Sequence, residues 1–291
     1  MKKSPDDSYQ IPKPILLMRC SDSQAYSPIG IRSVNRIALV AIAASAAVAA
    51  QAHAQSDRYQ VTRTAQAAAG GVAAVRLSNG SGNLVVNGRS GSSEVHVTAI
   101  VHGSSQRAVD AVRISLDRNG DVVTVREDTP DRSWFGIDNT WVDLTVELPT
   151  NMALDVSDGS GGARIDNAGA IRLRSGSGGA HLSNIAGTVD VRSGSGAVEL
   201  SNVRGNVTAS SGSGGFTIDG VNGSVDIRNA GSGSLNVRGV TGSVHLGSIG
   251  SGSLVADNIG GDLTVDRKGS GSVQYTNVKG QVSVPDRHRN W

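Results

Sequence analysis

Between residues 157 and 285 the dipeptide Ser-Gly returns at nearly fixed intervals, a periodicity that constrains the fold more than any other feature of the chain. Its glycine falls at Gly161, Gly178, Gly196, Gly214, Gly233, Gly252 and Gly271, with spacings of 17, 18, 18, 19, 19 and 19 residues. A second glycine series runs in step at Gly169, Gly187, Gly205, Gly223, Gly242, Gly261 and Gly280. Each unit therefore has two glycine-marked turns with a short strand after each.

Aligned on the Ser-Gly turn, the units place five apolar columns in register. The first strand supplies Ala163, Ala180, Val198, Phe216, Leu235, Leu254 and Val273, then Ile165, Leu182, Leu200, Ile218, Val237, Ala256 and Tyr275. The middle turn supplies Ala168, Ile185, Val203, Val221, Val240, Ile259 and Val278. The second strand adds Ile171, Val189, Val207, Val225, Val244, Leu263 and Val282, then Leu173, Val191, Ala209, Ile227, Leu246, Val265 and Val284. Between those last two columns stand Arg172, Asp190, Thr208, Asp226, His245, Thr264 and Ser283, so one strand face is buried and the other wet. Polar outer faces exclude a membrane barrel, whose outward side must be apolar, despite the terminal Trp291.

Burying five side chains at roughly 1.5–3 kcal/mol each does not offset about 1–2 kcal/mol per residue of backbone ordering over one unit. A unit alone should not fold. Stacked units share ladder hydrogen bonds at about 4.8 Å spacing, and stability becomes nearly a sum of neighbour terms. The sequence thus predicts an all-β solenoid of seven two-stranded rungs of 17–19 residues over 157–285. With 38 Gly and only 9 aromatic residues, its core must be thin and aliphatic.

Asn167, Asn184, Asn202, Asn258 and Asn277 share one column just before the middle-turn apolar residue, with Gly220 and Gly239 replacing them in two units. An amide there can bond turn backbone and its counterpart one rung on, and glycine, like asparagine, tolerates φ > 0, which predicts a structural ladder.

Residues 32–54 read as a secretory signal: Arg32 and Arg36 precede the apolar run from Ile37 to Ala50, and Ala52-His53-Ala54 offers a cleavage site. The run is too short to span a bilayer; the mature chain, beginning at Gln55, is expected to have no transmembrane segment. Residues 1–31 form a polar, proline-bearing extension, odd ahead of a signal; starts at Met18 or Val34 would give a more ordinary leader. Cys20, the single cysteine, precedes the cleavage site, so disulfides are not expected in the exported part. Of 27 Lys+Arg and 25 Asp+Glu, 6 and 3 lie in residues 1–54, leaving a net of about −1 and nothing to attract nucleic acid.

Residues 57–156 read as β-rich but irregular. Strands are expected at Val72–Leu77, Leu84–Val86, Glu94–Val101, Val112–Leu116, Val122–Arg126 and Trp141–Leu148, and a short helix at Ser104–Val112. They are expected to form wider, earlier rungs that cap and continue the solenoid. Trp134, Phe135 and Trp141 gather near a proline-bearing loop, either as a cap over the first regular rung or as a contact surface. Residues 286–291 are a polar tail.

The short Gly/Ser-rich units, with their Ser-Gly-Ser-Gly turn and middle turn of the form Asn202-Val203-Arg204-Gly205, resemble the bacterial DUF4097 family of adhesin-like proteins of unknown function and its head-domain auto-transporter relatives. The resemblance covers about residues 60–285. It implies a right-handed β-helix-like domain on the outer side of the cytoplasmic membrane, and supplies no catalytic residues to carry over.

Two repeat enzymes and binders are tested against the same register. Hexapeptide acyltransferases need an aliphatic every six residues, whereas the apolar offsets here are 0, 2, 5, 8 and 10, so a third side is missing. The calcium-binding nonapeptide needs an Asp that is absent after Gly178-Gly179, and Asp158, Asp190, Asp226 and Asp266 share no single column. His96, His102, His181, His245 and His288 are dispersed and expected to be solvated, and the turn serines lack a partnering base. Arg172 with Asp190, and Arg174 with Arg192, adjoin on one face; cross-rung pairing or an acidic-polysaccharide groove would account for them. No catalytic, cofactor or metal residue is assigned. The expected function is that of a non-enzymatic, exported adhesin-like or envelope scaffold (periplasmic, surface-bound or secreted) facing a glycan or protein partner. Binding or degradation of polysaccharide through the strand faces is the alternative.

Overall fold

The computed structural model describes residues 59–128 and 140–285; the signal, Cys20, Trp134, Phe135 and the tail lie outside them. The first part of the chain forms β1 (Tyr59–Ala68), β2 (Ala74–Asn79), β3 (Leu84–Arg89), β4 (Glu94–Gly103), α1 (Gln106–Ala111), β5 (Arg113–Asn119), β6 (Val122–Asp128), β7 (Thr140–Pro149) and β8 (Ala153–Asp158). The seven rungs follow as β9 (Ala163–Asp166) with β10 (Ile171–Ser175), β11 (Ala180–Ile185) with β12 (Val189–Ser193), β13 (Val198–Val203) with β14 (Val207–Ser211), and β15 (Phe216–Val221) with β16 (Val225–Ala230). They continue as β17 (Leu235–Val240) with β18 (Val244–Ile249), β19 (Leu254–Ile259) with β20 (Leu263–Lys268), and β21 (Val273–Val278) with β22 (Val282–Ser283).

The result is a β-solenoid of two facing 11-stranded sheets. The odd strands from β9 to β21 form most of the first sheet and the even strands from β8 to β22 most of the second, every regular neighbour parallel and in register except for a one-residue shift after Ala209 where β14 meets β16. The five apolar columns point between the sheets and are buried through the first six rungs. In the seventh, Tyr275 is 51 % exposed and Val282 37 %, because no described rung covers them.

The Ser-Gly turns stack so tightly that only glycine fits: a methyl at Gly178 would overlap the Gly161 carbonyl, and one at Gly196 the Gly178 carbonyl. The middle turns pair rung to rung through backbone, as in Ala186 N–H to Ala168 O at 2.9 Å and Arg204 N–H to Ile185 O at 2.8 Å. Of the two reasons the asparagine column offers, amide bonding between rungs and tolerance of φ > 0, the second holds at every rung. Asn167, Asn184, Asn202, Asn258 and Asn277 all have φ of 52–58°, and Gly220 and Gly239 adopt the same left-handed conformation. One amide-to-amide bond is made, Asn202 Nδ2 to Asn184 Oδ1 at 3.2 Å, whereas Asn277 Nδ2 turns to Asp257 Oδ1. Tolerance of φ > 0, rather than a continuous amide ladder, selects the residue.

The rung-to-rung side-chain ladder lies instead one residue past the second glycine. Asn206 Oδ1 accepts from Ser224 N–H, Ser224 Oγ from Ser243 N–H, Ser243 Oγ from Asp262 N–H, and Asp262 Oδ1 from Gln281 N–H, at 2.8–3.2 Å.

The first part continues both sheets but not in chain order. β2 and β3 form a parallel rung slotted between β6 and β7 on one side and β8 and β9 on the other. Beyond it the pairs β1·β4, β4·β7 and β5·β6 are antiparallel, so the irregular part expected to continue the solenoid does extend both sheets, but as an interleaved, antiparallel end and not as further parallel rungs. The expected helix is the shorter α1, capped by Ser105, which accepts from Ala108 N–H at 3.1 Å.

Candidate functional site

Alternation along the strands sends every second side chain of the rungs outward, so functional groups are arranged in columns along the rod. On the second sheet one outward column reads Arg76, Asp155, Arg172, Asp190, Thr208, Asp226, His245 and Thr264 in successive register. The adjacent column reads Ser78, Ser157, Arg174, Arg192 and Ser210. Asp155 lies 3.4 Å from Arg76 and 3.2 Å from Arg174. Asp190 lies 4.0 Å from Arg172 and 3.9 Å from Arg192. The expected cross-rung pairing of Arg172 with Asp190 is therefore present but long, while Arg174 and Arg192 stand side by side and lean to different carboxylates.

The first sheet has the opposite balance. Asp143, Glu147, Asp166, Glu199, Asp219 and Asp257 face outward against Arg89, Arg164 and Arg238, with Arg89 bridged to Glu147 and Arg164 3.6 Å from Asp166. Asp219, Arg238 and Asp257 form one register column. Hydrogen bonds from Thr276 and Asn277 hold the Asp257 carboxyl below the usual range.

The histidines were expected to be solvated singles, and three are instead paired with carboxylates, because stacking in register brings neighbouring outward columns within bonding distance. His181 Nδ1 is 3.0 Å from Glu199. His102 Nε2 is 3.0 Å from Asp143, and its ring stacks on Trp141 at 5.0 Å between centroids. His245 sits between Asp226 at 2.8 Å and Asp266 at 3.0 Å, and hydrogen bonding to Asp226, then to Asp266, raises its pKa. Trp141 lies on the outer face of the first sheet in β7, with β3 between it and the first regular rung, so it does not cap that rung.

A sixth inward column was missed: Asn79, Asp158, Ser175, Ser193 and Ser211, two residues beyond the last apolar column and buried. Asn79 Nδ2, Ser175 Oγ and Ser193 Oγ each donate to the carbonyl three residues on, in Gly82, Gly178 and Gly196, at 2.8–2.9 Å. Ser211 Oγ makes no such bond, and Asp158 has no proton to donate when ionised. Its Oδ1 accepts from Asn79 Nδ2 at 3.1 Å, its Oδ2 has no partner, and burial pushes the carboxyl above its ordinary range. The signal was legible as Ser-Gly-Ser-Gly with Asp158 in the first serine's place.

Among the described residues no group of three or more His, Cys, Asp and Glu side chains is arranged to hold a metal ion, and no helix is long and apolar enough to cross a membrane. The turn serines Ser175 and Ser193 are occupied as hydrogen-bond donors to backbone.

The family model for Toastrack DUF4097 matches residues 74–289. No curated protein matches the chain. Among solved structures, a "putative adhesin" from Bacteroides fragilis NCTC 9343 is 16% identical with a TM-score of 0.46, covering 79% of this chain and 99% of that one. A "putative adhesin" from Parabacteroides merdae ATCC 43184 is 14% identical with a TM-score of 0.40, covering 74% and 96%. A "putative lipid binding protein" from Parabacteroides distasonis ATCC 8503 is 12% identical with a TM-score of 0.40, covering 77% and 97%.

Proposed function

The chain belongs to the Toastrack DUF4097 family, and from that premise we propose that it is a non-enzymatic, exported adhesin-like or envelope scaffold protein whose two flat outer faces are its contact surfaces. The observation that carries this reading is the outward register of the rungs. Charged side chains repeat in straight columns at about 4.8 Å intervals on a backbone fixed by parallel pairing on both sides. Such a surface needs little ordering on contact, which lowers the entropic cost of binding. A periodic partner, glycan or protein, can meet many equivalent groups at once.

Export rests on the leader in residues 32–54 and gives the faces access to envelope or surface partners. Fractionating cells that express the full chain and sequencing the N-terminus of the recovered protein tests it. Recovery in the cytoplasm with residues 32–54 intact would overturn export. The second reading, action on polysaccharide, is favoured by the arginine columns of the second sheet and is separated by a turnover assay on a glycan panel. Shortening of any glycan by purified protein would overturn the non-enzymatic reading.

A further inference from the structure

We infer that the outer face of the second sheet, from β2 to β12, binds an acidic polysaccharide along the rod axis; the inference rests on the reading of the faces as contact surfaces and names the partner of one of them. Over this stretch the face carries Arg76, Arg172, Arg174 and Arg192 against Asp155 and Asp190, a net of +2. The charges are also layered. The four arginine side chains are 49–60% exposed, while both aspartates are only 28–29% exposed. The carboxylates thus lie beneath the guanidiniums, orient them, and leave the outermost layer positive. Exposed pairs of this kind contribute little to stability, so fold stability does not account for them.

The register adds a second observation. Arg174 and Arg192 occupy adjacent positions in one column, like charges that Asp155 at 3.2 Å and Asp190 at 3.9 Å offset from below while leaving the outer edges of both guanidiniums open to an anion. Planar guanidiniums are suited to carboxylate and sulfate groups because they can donate two parallel hydrogen bonds. The face is narrow, two columns wide, and long in the stacking direction, which fits a linear chain carrying repeated anions better than a compact ligand. The first sheet, with its excess of carboxylates, would repel the same polymer, so binding should be confined to one side of the slab.

The test is calorimetric titration of the full chain with polygalacturonate, with dextran as the neutral polymer and phosphatidylglycerol vesicles as the anionic surface. Polygalacturonate binding that weakens from low to physiological salt, and is lost at least tenfold in an Arg172→Gln, Arg174→Gln, Arg192→Gln variant of unchanged circular dichroism, is the expected result. Should that variant fail to fold, the single variants Arg174→Gln and Arg192→Gln should each weaken binding severalfold. Arg238→Gln on the first sheet should leave it unchanged. Absence of polygalacturonate binding, equal binding by the variants, or uptake by vesicles alone would overturn the inference and leave the scaffold reading standing. Arginine-dependent binding with shortening of the polymer would support the face and overturn the non-enzymatic reading.

Discussion

Replacing Asp158 by asparagine should stabilise the protein at neutral pH. The carboxyl is 4% exposed, one oxygen has no donor, and burial raises its pKa above 3.8. Leaving such a group unsatisfied costs about 1–3 kcal/mol. Asparagine has the same shape, keeps an oxygen to accept from Asn79 Nδ2, and places an NH₂ where the orphan oxygen stood. In the same column Asn79, Ser175 and Ser193 send a donor to the carbonyl three residues on; for position 158 that carbonyl is Gly161 O. Recovering about 1–3 kcal/mol in a domain of this size should raise Tm by about 2–12 °C at pH 7. The pH dependence fixes the cause. A carboxyl whose folded pKa is raised binds its proton more tightly when folded. Its penalty is absent below the unfolded value of 3.8 and grows as pH rises through the folded value. The Asp158→Asn advantage should therefore be full at pH 7 and vanish near pH 3.8, measured by calorimetric melts across pH. Equal Tm values at pH 7, or an advantage that survives acidification, would refute the reasoning.

His245 works in the opposite sense: its pKa is raised by Asp226 and Asp266, so the stabilisation is fully present below 6.5 and lost as pH rises through the folded value. His245→Gln should melt earlier than wild type at pH 5.5 and together with it in alkali, and an NMR titration of the imidazole should show its midpoint fall in Asp226→Asn. Gly178→Ala should cost several kcal/mol (about 3 or more) because the new methyl meets the Gly161 carbonyl, whereas Gly162→Ala, whose nearest neighbour is Asn83 Oδ1 at 3.5 Å, should melt almost unchanged. Asn202→Ala should lose about 1–2 kcal/mol from its left-handed conformation, while Asn202→Gly should be nearly neutral in urea unfolding, since Gly220 and Gly239 already serve that column.

The rungs were legible because each is determined by its own residues and its two neighbours. Ile165, Leu182, Leu200 and Ile218 announce a buried column by recurrence alone, and the structure buries all four. The interleaved end was not legible for the opposite reason. Nothing local in β2 or β3 states that residues 94–149 pass around them before β8 resumes the stack, because that order depends on pairings 48–79 residues apart. β1 and β8 escaped notice in their turn: β1 lies at the antiparallel end, half exposed, where no repeat marks its period. By sequence Asp158 stands among scattered acids such as Asp190 and Asp226, whereas register places it in the column of Ser175 and Ser193.

The outer columns carry more functional information than the core because the fold asks less of them. An inward position must match the volume of the rungs above and below, so Val, Ile, Leu and Ala recur whatever the protein does. An outward position need only be compatible with a strand. In the column of Arg174 and Arg192 the adjoining rungs hold Ser157 and Ser210, so a short hydroxyl meets every structural demand there. Two arginines at that place add side-chain entropy to be lost and a like-charge contact, costs that packing does not return. Positions that cost stability which stacking does not require are where contact chemistry should be sought, and among the described residues the Arg174–Arg192 pair of the second sheet is such a place.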